Sequence, residues 1–140
     1  MTSSSQIKQP FMWMASDYSQ VTDNELQQVQ LTRREFNAKI QQRNEQRETF
    51  VQSLKQGYVF VLKGSTHSTY ITDEALLGPL VPGLGDPLAS IDGVRAVTVV
   101  NADVSAFFDT YLKQQKTNLL NGNSPTYPEV ELSAIHHPLS

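Results

Sequence analysis

The chain contains no cysteine. That excludes disulfide cross-links, thiol catalysis and cysteine-based zinc sites. No apolar run approaches the ~20 residues that a membrane-crossing helix requires. The opening stretch, Met1 to Gln9, lacks the apolar centre of a signal peptide. Charge is scarce: 18% of the 140 residues are Asp, Glu, Lys or Arg, and the net charge is −3. So mild a balance gives no electrostatic case for nucleic acid or anionic lipid as a partner of the whole protein. The spacings H-x-x-x-H and H-E-x-x-H are missing, as is a glycine-rich loop ending in Lys-Ser/Thr. The chain is therefore expected to be soluble, without metal or cofactor, and to reside in the cytoplasm or within an assembled particle.

What is present is a globular composition. Hydrophobic residues make up 39% of the sequence, enough at this length to bury a core. The longest organised signal runs from Asn24 to Gln56. There Leu26, Val29, Phe36, Ile40, Phe50 and Leu54 follow a 3-4 alternation, and Arg33, Arg43 and Arg47 fill the remaining seam positions. Thr22-Asp23-Asn24-Glu25 reads as a capping box at its start, and Gly57 can close its end. One unbroken helix of that length would extend roughly 50 Å at 1.5 Å per residue. Such a rod predicts a neighbour to lean on. Nucleic acid is not the expected neighbour, because Glu25, Glu35, Glu45 and Glu48 are interleaved with the basic residues, and Glu35 is placed to support Lys39 one turn on.

Four segments follow from these signals. Residues 1–21 form an extended arm with an apolar cluster, Phe11-Met12-Trp13-Met14, that either folds back to close its own core or docks into a neighbouring subunit, and residues 22–56 form the long amphipathic helix. Residues 57–117 form a compact body, and residues 118–140 a C-terminal extension with an edge strand. Within the body, Tyr58 to Leu62 is a dense β-forming run, continuous in apolarity and so buried on both faces. Ser68 to Thr72 is expected as the return strand of a hairpin, and Val94 to Val100 as a further strand. A helix follows, capped by Asn101 or Asp103, with Val104, Phe107, Phe108, Tyr111 and Leu112 on one face. Glu129 to Ile135 alternates as an edge strand does. The expected fold class is α+β: a long N-terminal helix, then a small sheet of a hairpin plus further strands, covered by a second helix.

Chemistry is thinly signalled. The stretch Gly78 to Gly93 holds four glycines and three prolines, and long ordered loops tend to be functional, so Asp86 and Asp92 are candidate ligand-binding residues. His67, in a Ser-Thr-His-Ser-Thr turn, could serve as base to a hydroxyl nucleophile. Side chains adjacent in sequence usually point apart, however, and no G-x-S-x-G elbow accompanies it. His136-His137 diverge and read as a solvated tail. The leading expectation is a non-enzymatic structural or interaction subunit of a larger self- or hetero-assembly, a viral particle component being its most concrete form. Phe11, Trp13, Leu26, Val29, Arg33, Phe36, Ile40, Arg43 and Arg47 would then face a protein partner or a second copy. The alternatives are a small-ligand or regulatory binding module using the 78–93 loop, and a hydrolase built on His67.

Overall fold

In Gly57–Leu62 (β2) successive side chains leave the backbone on opposite faces, and both faces are apolar. Tyr58, Phe60 and Leu62 pack on one side with Ala96, Val99 and Val130, while Val59 packs on the other with Ala15, Val51 and Leu54. A strand so sealed needs a helix on each side, and the chain provides two. The computed structural model describes residues 7–84 and 89–136. Its elements are β1 (Phe11–Ser16), α1 (Asp23–Gln28), α2 (Arg33–Gln52), β2, a 3-10 turn (His67–Tyr70), α3 (Thr72–Leu77), α4 (Gly93–Leu112) and β3 (Val130–His136). The C-terminal part of α2 covers one face of the sheet through Phe50, Val51 and the following Leu54, and α4 covers the other.

The sheet has three strands in the order β1-β2-β3, with β1 parallel and β3 antiparallel to β2. The α+β class expected from the sequence is the one observed. None of the helices among the described residues is long and apolar enough to cross a membrane.

Several elements differ from expectation. The single rod is two helices. Thr22 caps α1 and Thr32 caps α2, each with the reciprocal Glu bond of a capping box, through Glu25 and Glu35. Between them Gln30 turns left-handed at φ 56°, so the intrahelical ladder stops at Val29. The remaining helix, α2, has 20 residues and spans about 30 Å; its first half packs with α1 and its last turns on the sheet. The apolar arm is not left outside the body: Phe11 to Ser16 pair in register with Gly57 to Leu62, as the core-closing reading expects. Nor is there a hairpin: both edges of β2 are already occupied, and Ser68 to Tyr70 curl into the 3-10 turn.

Val94 to Val100 is the first half of α4 rather than a strand. Its β-branched residues favour a strand locally. The helical spacing of buried Ala96, Val99, Asp103 and Ala106 overrides that preference by giving α4 one continuous face to bury. The cap of α4 is Asp92, whose Oδ1 accepts from the Arg95 amide at 2.8 Å. Asp103 therefore starts no helix. It lies mid-helix and is only 2% exposed, and its Oδ2 has no hydrogen-bond partner among the described residues.

Burial pushes the Asp103 carboxyl from 3.8 up to about 6. A raised carboxyl pKa means stability that is complete below about pH 4 and is lost as pH rises through about 6. Asp103→Asn removes that loss. It is expected to stabilise the fold at pH 7 by up to about 3 kcal/mol and to flatten the pH 4–6 segment of a urea-unfolding profile. Thr32→Ala should cost about 1 kcal/mol in the same measurement, because it removes the hydroxyl that receives the Glu35 amide.

Candidate active site at the carboxyl ends of the parallel strands

Since β1 and β2 run in the same direction, their carboxyl ends lie side by side, the region where open α/β sheets place ligands. The two ends are tied together. The Asp17 amide donates to the Ser65 carbonyl at 3.1 Å and to its Oγ at 3.3 Å. The Gly64 amide donates in return to Asp17 Oδ2 at 3.1 Å. The other carboxylate oxygen, Oδ1, accepts from the Ser19 amide at 2.9 Å, which fixes the turn after β1 as well.

Gly64 has φ +72°, and a Cβ there would stand 2.5 Å from Ser90 Oγ. Only glycine suits so tight a crossing. Beyond it, Ser65 and Thr66 are fully buried and Thr69 nearly so, whereas His67 is exposed. The His67 amide donates to the Tyr18 hydroxyl at 3.2 Å. A rigid, buried turn thus projects one imidazole from the strand ends. Among the described residues no side chain hydrogen-bonds its ring. The hydroxyls of the same turn are not its partners: Ser65 Oγ donates to the Leu62 carbonyl at 2.6 Å, and Thr69 Oγ1 accepts from the Thr66 amide at 2.9 Å.

Behind the turn, the Tyr70 hydroxyl donates to the Ala15 carbonyl at 2.8 Å, joining the turn to β1 itself. Burial pushes that phenol up to about 12, so it remains a donor throughout the neutral range. A cleft of about 500 Å³ opens beside the turn, walled by Ser68, Thr69, Glu74, Leu84, Ile91 and Gly93 among others.

The residues singled out from the sequence are scattered. Asp86 lies outside the described residues, and Asp92 is occupied as the α4 cap. Leu26 and Phe36 are buried together with Val21 in a small cluster between α1 and α2. Ile40 and Phe11 are half-buried against the chain's own core, and Trp13 packs edge-on against Phe50 at 5.6 Å. Arg33 pairs with Asp23 at 2.7 Å, and Arg47 is buried. Only Val29 and Arg43 of that set are plainly exposed. Leu26, Phe36 and Arg47 are thus turned into the chain's own interior, and Phe11, Trp13, Arg33 and Ile40 are half-buried. Asp17, Gly64 and Tyr70 were not singled out. Their sequence signal, polar residues and a glycine immediately after two strands, becomes readable only once those strands are known to be parallel neighbours.

No protein-family model matches the chain, and no curated protein matches it. Among solved structures, the ferulic acid esterase from Streptomyces cinnamoneus shares its fold at a TM-score of 0.69 and 19% identity, over 92% of this chain. The chain spans 35% of that esterase's length. This match contradicts the expectation of a structural subunit of an assembly: the fold is similar to part of an esterase, and the segments read as interlocking extensions are β1 and α2 of this chain's own body.

The geometry predicts that Asp17→Ala releases the turn. Loss of the carboxylate that holds the Gly64 and Ser19 amides should cost about 1–3 kcal/mol in chemical denaturation. It should also shift the Gly64, Ser65 and His67 amide resonances, while those of α2 stay in place.

Proposed function

We propose that this chain contributes the histidine of an ester-hydrolase site, with His67 as general base. The observation that carries the reading is the position of His67: an exposed imidazole on a buried turn anchored to Ala15, Asp17 and Tyr18 at the carboxyl end of a parallel strand, in a fold similar to that of an esterase. In hydrolases built on such sheets the triad follows the chain order nucleophile, acid, histidine. The nucleophile and orienting carboxylate would then come from polypeptide other than the described residues, since these leave the His67 ring without a partner. The protein partner implied is the segment or chain that carries those two groups. The outer edge of β1, which has no neighbour in the three-stranded order, is where a further strand would join.

In this role the ring takes the proton of a serine hydroxyl as that oxygen attacks the ester carbonyl. It then returns the proton to the departing alkoxide, and repeats the exchange with water to release the acid. The tethers to Asp17 and Tyr18 fix the backbone of the turn from which the imidazole projects, and the orienting carboxylate would then align the ring itself. With the complementing segment present, His67→Ala should lower kcat for 4-nitrophenyl acetate by about 10²–10⁴-fold at an unchanged melting temperature. Turnover equal to that of the unsubstituted protein would contradict the assignment.

A further inference from the structure

The cleft beside the His67 turn has a definite chemical character. Its volume of about 500 Å³ falls within the range of roughly 300–1,000 Å³ typical of small-molecule sites. Ala75, Leu84 and Ile91 give it apolar walls. At Gly93 the floor is backbone against backbone: a Cβ there would stand 1.8 Å from the Ala75 carbonyl oxygen, so α4 meets α3 with no side chain between them. Ser68, the residue after His67, forms part of the rim.

Glu74 is the charged side chain of the described wall, and it is half-buried. No described group hydrogen-bonds its carboxylate. An ionised carboxylate only accepts hydrogen bonds. No Lys or Arg lies on the described wall to balance it.

From these features we infer that the cleft is a subsite for an apolar group ending in a hydrogen-bond donor, and that it excludes anionic groups. An ammonium or hydroxyl that enters the cleft finds in Glu74 an acceptor that no described group occupies. A carboxylate or phosphate entering the same space meets a like charge, in surroundings that screen it less than bulk water does. The subsite's role rests on the His67 reading: it would hold the apolar part of an ester whose carbonyl lies over the imidazole. Esters with a free acid at the far end of that part would be poor substrates.

Three probes share one apolar body and differ only at the head: benzylamine, benzyl alcohol and benzoate. Each is titrated into the full chain, with binding read from backbone amide shifts and therefore without turnover. Benzylamine and benzyl alcohol should move the Ser68, Leu84, Ile91 and Gly93 amides. Benzoate should not. Benzylamine should bind about fivefold more tightly than benzyl alcohol, the scale of a partly exposed ion pair, and Glu74→Gln should abolish that margin. Benzoate binding as well as benzylamine would overturn the inference, as would shifts that map elsewhere or a margin that survives Glu74→Gln. The two readings fail separately. Cleft shifts in a protein whose ester hydrolysis ignores His67→Ala would leave the subsite standing and remove the base. Hydrolysis that depends on His67 with no cleft shifts would do the reverse.

Discussion

The parallel pairing of β1 with β2 is the constraint from which the rest of this structure follows. It draws Phe11 to Ser16 into the body and brings Ala15 and Trp13 to the α2 face of the sheet. Between the two strands the chain must travel back along the sheet, and α1 and α2 are that return path. The second helix need be no longer than the return requires. Parallel pairing also sets both carboxyl ends at one edge, and Asp17 and the Gly64–His67 turn meet there. An antiparallel partner in place of β1 would have put the end of one strand beside the start of the other, and the turn would have lost its anchor.

The core and the exposed imidazole are two results of one arrangement. The residues that hold the turn, Ser65, Thr66 and Thr69, are polar and buried, and their hydrogen bonds are made within the turn, to the strand before it or to Asp17. Buried polar groups satisfied in this way specify a single conformation. Asp103 is the exception, a carboxyl buried in α4 with an oxygen that lacks a partner. Burial without a partner favours its protonated form and costs stability once it ionises. Its charge also raises the pKa of Tyr70, though less than burial does.

Much of the fold was legible because its signals are local. The apolar run Tyr58 to Leu62, the alternation after Glu129, the capping box at Thr22 and the face formed by Phe107 and Tyr111 all appear in the structure as elements of the expected kind. A second capping box, Thr32-Arg33-Arg34-Glu35, was also there to be read, and it marks the break in the presumed rod. The 3-4 spacing bridged it because Leu26 and Phe36 do share a cluster, although across two helices. Val94 to Val100 misled for a different reason: its β-branched residues favour a strand taken alone, and only the small buried residues Ala96 and Ala106 disclose the helix face. The partner of β2 could not be read at all, since pairing between Phe11 and Gly57 is set by tertiary packing rather than by any local pattern. His67 was visible as a chemical group but was weighed against its neighbours in sequence. Its significance lies in its position at a strand end, which only the topology supplies.

Whether β1 is a true member of the sheet decides the whole account, and amide hydrogen exchange tests that most directly. The amides of Phe11 and Asp17 donate to the Gln56 and Ser65 carbonyls at 3.0 and 3.1 Å, at the two ends of the pairing. Both should exchange only through global unfolding, with the same free energy as the central amides of β2. If they exchange at the rate of an untethered arm while β2 stays protected, the parallel pair does not exist in solution, and with it goes the anchoring of the His67 turn.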